Sequence, residues 1–135
     1  MCLVVKKGCK IEIAEKDITT YKYINNYDEN YWCGIFYPYP RFLYNEIQKA
    51  KYSFSLYDRN LEHLRIEKCR IINEGFHSHI NPYGSYFTIK KTFCIIPKGS
   101  EYCFGEYDDI VSNQIIVFKT KEDYDRYITS KISSN

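Results

Sequence analysis

The residues with the clearest chemical potential form one short run, Gly75-Phe76-His77-Ser78-His79. His77 and His79 are two apart, so on a strand their imidazoles point to one face. Imidazole changes charge near neutral pH and offers both a donor and an acceptor. Two imidazoles are fewer than the three or four protein ligands of a metal site. His63 lies well upstream, and no Asp or Glu stands at motif spacing to it. Nucleophilic catalysis also fits poorly, because neighbouring strand residues do not readily form a Ser–His hydrogen bond. No GxSxG elbow surrounds Ser78. The run therefore reads as one wall of a binding pocket, with Tyr83 beside it. Ser78 joins that wall only if the strand is bent or short. The competing reading is a surface strand end with satisfied histidines.

Other chemistry-bearing patterns are sparse. The chain has no GxGxxG and no GxxxxGK[ST] phosphate loop. The carboxylate pairs Asp108-Asp109 and Asp123/Asp125 sit in charged stretches and read as solvated surface. Ile95-Ile96-Pro97-Lys98-Gly99-Ser100 reads as a strand ending in a sharp turn. From there Lys98 could reach a phosphate, or simply stand solvated at a hairpin corner. The six cysteines include no CxxC pair, so they read as reduced, mostly buried small hydrophobes rather than a zinc site.

Composition bounds what these residues can serve. A chain of 135 residues fits a single domain, 1–135, large enough to bury a core without metal or disulfides. Fifteen Tyr and eight Phe, with Trp32, bring the aromatic share to 18%. Tyrosine suits half-buried strands and sites that stack flat ligands while hydrogen-bonding their edges. AT-rich coding bias accounts for such a composition equally well. A net charge of +2 is too small for a dedicated nucleic-acid surface. No apolar run approaches membrane-spanning length, and the short opening run does not make a signal peptide. These features lead us to expect a cytoplasmic protein.

The elements that would position the candidates are mostly strands. Ile18–Ile24, Tyr31–Tyr37, Tyr52–Tyr57, Tyr86–Ile96, Glu101–Phe104 and Asn113–Phe118 carry β-branched, aromatic or alternating patterns. Arg41–Tyr52 and His63–Ile72 fit a strand or a short helix. Asp58-Arg59-Asn60 and Glu106–Asp109 read as turns, and Pro38 and Pro40 break the chain. Thr120 is a helix N-cap, opening a helix from Lys121 to about Lys131 with Tyr124, Tyr127 and Ile128 on its core face. The class is α+β: a strand-rich domain with a split or curved antiparallel sheet and a C-terminal helix.

The order of the second half resembles the ADP-ribosyltransferase fold. It runs Gly75-Phe76-His77-Ser78, a long strand, Ile95-Ile96-Pro97-Lys98-Gly99-Ser100, then Tyr107 and Gln114–Phe118. In that family a strand carries a Ser-Thr-Ser-like motif, and a later strand carries a catalytic Glu. Here His77-Ser78-His79 replaces the former, and Val111-Ser112-Asn113-Gln114-Ile115 has no Glu for the latter. Tyr21-Lys22 lies where the family's NAD-holding residue would be. The chain also looks like small proteins carried by bacteriophages and mobile elements, which places it in the cytoplasm of a host bacterium.

The resemblance implies a binder rather than a transferase. Its ligand would be a nucleotide-derived small molecule, such as an ADP-ribose-type or cyclic nucleotide immune signal, sequestered by a phage counter-defence sponge. Aromatic surfaces would come from Tyr21, Phe76, Tyr83 and Tyr37 or Tyr39, cations from Lys22, Arg41 and Lys98, and polar contacts from His77, Ser78 and His79. No cofactor, membrane or dedicated nucleic-acid contact is implied, and a homo-oligomer is compatible with this reading. The alternatives are a divergent transferase or nucleotide-cleaving enzyme with a histidine base, and a protein inhibitor of a host factor.

Overall fold

Ile18–Asn25 and Ile89–Ile96 lie antiparallel over their whole length, from Ile18 opposite Ile96 to Asn25 opposite Ile89. Both segments are rich in β-branched and aromatic residues, which pack well on a pleated surface. The computed structural model describes residues 3–5, 9–25, 30–33, 41–50, 56–61, 66–72, 75–82, 89–105 and 108–133. Their strands are β1 (Leu3–Val4), β2 (Glu12–Ile13), β3 (Ile18–Asn25), β4 (Tyr31–Trp32), β5 (Phe42–Leu43), β6 (Ile47–Lys49), β7 (Leu56–Leu61), β8 (Ile66–Ile72), β9 (Phe76–His79), β10 (Ile89–Ile96), β11 (Glu101–Phe104), β12 (Asp109–Ser112) and β13 (Gln114–Val117). The helix α1 spans Lys121–Ser133.

The β3–β10 ladder is the middle of an eight-stranded sheet of order β2-β11-β12-β9-β3-β10-β13-β6. A three-stranded sheet, β1-β8-β7, and a β4-β5 pair complete the described strands. Every described ladder is antiparallel. This fits the expected α+β class with antiparallel sheets and a C-terminal helix.

Strand alternation gives the large sheet two different faces. One face carries Ile95 and Ile116, which pack with Phe118 against Tyr124, Tyr127 and Ile128 of α1. The helix starts where its cap dictates: the Asp123 amide donates to Thr120 Oγ1 at 3.1 Å. Glu122 and Asp123 in the first turn and Lys131 near the end also suit the helix dipole. The opposite face buries Ile24, Cys94, Ile115 and Val117 under Trp32 and Tyr44, with Phe42 and Phe76 packed alongside. Each such apolar side chain contributes roughly 1.5–3 kcal/mol on leaving water. Trp32 stacks on Phe42 at 4.6 Å, and Phe76 meets both rings edge-on.

Turns fix the register. Ser100 N donates to Pro97 O at 3.0 Å, and Gly99 takes a φ of +90°, which a side chain would resist. Asn45 turns the chain between β5 and β6 at a φ of +64°, a conformation asparagine tolerates. Its side chain accepts from Lys119 N and donates to Asp123, tying that turn to the start of α1.

Several sequence expectations need correction. Asp58-Arg59-Asn60 is not a turn: β7 runs through it, and its polar composition coincides with a break in register against β8 between Arg59 and Leu61. Of the expected acidic turn or loop Glu106–Asp109, Asp109 belongs to β12, and 106–107 lie outside the described residues. The ambiguous 41–52 segment holds two short strands around the Asn45 turn. Of Tyr31–Tyr37, Tyr31–Trp32 is strand and Cys33 is not, while 34–37 lie outside the described residues.

Candidate functional site

The strand β9 is regular, and that decides how the histidine run is used. It lies between β12 and β3, with Ser78 opposite Ile110, His79 opposite Asp109, and Tyr21 across from His79 on the other side. Ser78 is 1% exposed and faces the Trp32 side. His77 and His79 face the helix side, where Tyr23 lies against the His79 ring at 5.8 Å. The expectation that His77, Ser78 and His79 converge is therefore corrected: period-two alternation sends Ser78 through the sheet to the other face.

The same parity divides the remaining candidates. Tyr21 is on the helix face, edge-on to Phe93 at 5.4 Å, and Phe93 stacks on Tyr124 at 4.9 Å. Lys22, one residue on, is half-buried on the Trp32 face, as is Phe76. Arg41 is exposed just before β5. Lys98 is exposed in the turn beyond Ile96. Ile96 pairs with Ile18, so the turn stands roughly 10 Å along the strand from Tyr21. Tyr37 and Tyr83 lie outside the described residues. The described candidates thus do not line one pocket.

What the structure does assemble on the helix face is a half-exposed row. Phe93, Tyr21, His79 and Asp109 follow one another across β10, β3, β9 and β12. The next row runs Lys91, Tyr23, His77 and Val111, given the printed registers. Ile80 N donates to Asp108 O at 3.1 Å, which makes His79 and Asp109 a non-hydrogen-bonded pair with close side chains. Lys91 is exposed, whereas its neighbour Lys90 turns to the other face and donates to Lys119 O at 2.6 Å. Tyr23 and Lys91 were missed as site residues. Tyr23 has the parity of Tyr21, but only the register shows that Lys91 flanks it.

The Trp32 face holds the other polar grouping. The Lys22 ammonium donates to His77 O at 2.6 Å and lies 5.7 Å from the centre of the Trp32 ring. Burial pulls its pKa down, and the nearby Cys94 opposes this more weakly. Burial also pushes the Cys94 thiol up to about 12, against the Thr92 hydrogen bond and the charge of Lys22. Thr92 Oγ1 donates to Lys22 O at 2.9 Å.

A cavity of about 570 Å³ opens elsewhere, at the β2 edge, lined by Glu12, Ile13, Glu15, Lys16, Ile18 and Tyr102. None of the sequence candidates is there. Among the described residues no three His, Cys, Asp or Glu side chains are grouped to hold a metal ion. None of the described helices is long and apolar enough to cross a membrane. In comparison with known proteins, no family model, no curated sequence and no solved structure matches the chain.

Proposed function

We propose that this protein binds a nucleotide-derived small molecule on the helix-bearing face of its large sheet and holds it unchanged. The observation that carries this reading is the pairing of Tyr21 with His79 across β3 and β9. Beside that pair, Tyr23 and the exposed Lys91 are opposite one another on β3 and β10. Tyrosine and imidazole rings give stacking surfaces and edge hydrogen bonds, and Lys91 supplies a point charge for a phosphate. The ligand class is an ADP-ribose-type or cyclic nucleotide signal, and the role is that of a phage-type sponge in a host cytoplasm.

The β12–β13 corner supports binding without transfer. Where the resembled family carries its catalytic Glu, Ser112 Oγ donates to Gln114 O at 2.9 Å and is buried. Asn113 accepts from Glu101 N at 2.9 Å and donates its own amide to Glu101 O at 3.0 Å. These groups are spent on holding the turn, and none of Ser112, Asn113 and Gln114 is a carboxylate that could stabilise an oxocarbenium-like transition state.

Calorimetric titration with ADP-ribose isomers and cyclic dinucleotides tests the reading. Binding by one of them, weakened at least about tenfold in Tyr21→Ala and His79→Ala, supports it. The bound compound should be recovered intact after denaturation. Absence of heat across the panel, or recovery of a cleaved product, overturns it.

A further inference from the structure

The Trp32 face of the sheet carries a cluster of hydrogen-bond donors that the nucleotide reading does not use. Thr20 Oγ1, Ser78 Oγ and Trp32 Nε1 are all fully buried, and among the described residues none has a hydrogen-bond partner. Their residues are 0%, 1% and 2% exposed. One cation, Lys22, shares their face of the sheet. Thr20 precedes Lys22 by two positions on β3, so both side chains point to this face. The pairing of Tyr21 with His79 puts Ser78 opposite Lys22. The indole of Trp32 lies against the ammonium at 5.7 Å.

The chemistry of this set is one-sided. An ammonium has three donors and no acceptor, and an indole nitrogen only donates. A hydroxyl can donate to whatever is nearby. Lys22 gives one hydrogen bond, to His77 O. Among the described residues no carboxylate pairs with it. An unpaired buried charge is costly, and so is each buried polar group left without a partner. One small acceptor carrying a negative charge would relieve all four at once. The burial of Thr20, Ser78 and Trp32 limits its size.

We propose that Lys22, Thr20, Ser78 and Trp32 form an internal site for a small monovalent anion of halide size. The anion would be a structural ligand of the inner face, separate from any nucleotide on the helix face. It would bind the protonated lysine, so its affinity should fall as pH rises through the Lys22 titration. Water filling the same space would satisfy the hydroxyls but would show no preference among salts.

The test is thermal unfolding of the full chain at pH 7, with chloride or bromide exchanged for gluconate at constant ionic strength. The expected result is a midpoint that rises saturably with halide, by roughly 2–5 °C. Lys22→Met should abolish the rise. Ser78→Ala and Thr20→Val should shift the half-saturating halide concentration upward about tenfold each, the loss of one hydrogen bond to a charge. They also serve if Lys22→Met fails to fold. Crystals grown with bromide should show one anomalous peak beside Lys22 Nζ. A midpoint that follows ionic strength alone, or a half-saturating halide concentration unchanged in Ser78→Ala and Thr20→Val, overturns the proposal.

Discussion

The Lys22 ammonium lies 5.7 Å from the centre of the Trp32 ring, half-buried on the face of the sheet away from α1. Its neighbour Tyr21 is on the opposite face. Stacking on the indole and one hydrogen bond to His77 O offset only part of the cost of burial. Burial lowers the Lys22 pKa from 10.5 in the folded state. In the interval between that lowered value and 10.5 the unfolded chain holds more protons, so stability rises with pH there. Below the lowered value the penalty is fully present. In halide-free buffer, Lys22→Met should stabilise the protein at pH 7 by about 1–3 kcal/mol and flatten this part of the pH profile. Denaturant titrations of both proteins from pH 7 to 10.5 measure it.

Cys94 acts with the opposite sign. Burial is the main reason its thiol is held at about 12, while the hydrogen bond with Thr92 and the charge of Lys22 pull weakly the other way. An unfolded cysteine releases its proton near 9. The contribution is therefore fully present below about pH 9 and is lost as pH rises from there through about 12. Cys94→Ala removes this slope at the expense of a small cavity. The wild type should lose on the order of a few kcal/mol more than Cys94→Ala between pH 8 and 11.5. Equilibrium unfolding under reducing conditions, followed by fluorescence, gives the difference.

How much of this was legible in the sequence depends on which residues had local rules to obey. The Thr120 cap, the face of Tyr124, Tyr127 and Ile128, and the Pro97–Ser100 turn follow from short-range chemistry, and the structure shows each. The eight-residue β3 and β10 strands announced themselves by β-branched and aromatic composition. The four-residue β12 did not, because two acidic residues at its start outweighed Ile110 and Val111. The site was harder. Alternation correctly placed His77 and His79 together, and it also warned that Ser78 faces away. What alternation cannot supply is register. That Tyr21 meets His79, or that Lys91 meets Tyr23, depends on pairings between segments more than fifty residues apart. Residue types alone therefore grouped Lys22 with Tyr21, although the sheet lies between their side chains.

Asp17 organises the corner where the chain enters β3. Its carboxylate accepts from Lys98 N at 2.8 Å and from the Tyr127 hydroxyl at 3.1 Å. It thereby joins the β10–β11 turn to α1. Burial, then the charge and hydrogen bond of Asp17, push the Tyr127 hydroxyl up to about 12. Tyr127→Phe keeps the ring against Phe118 and removes only the donor. It should cost about 1–2 kcal/mol at neutral pH. Asp17→Ala should cost more, because the bond from Lys98 N is lost with it. The double variant should cost less than the sum, since both changes break the same bond. A double-mutant cycle by urea unfolding measures the coupling.

Gly105 and Asp109 form the last such contact, and it touches the candidate row. The two residues are paired at the end of β11 and β12, with Gly105 N donating to Asp109 O at 2.8 Å. The Asp109 carboxylate folds over the glycine, so that a Cβ at position 105 would collide with it. On its other side Asp109 is paired with His79. Gly105→Ala should therefore cost about 1–3 kcal/mol by overpacking. Asp109→Ala in the same chain should recover most of the lost stability, because the collision is with that carboxylate. A Gly105→Ala penalty that persists unchanged in Asp109→Ala would show that the glycine is required by its backbone and not by the side chain above it.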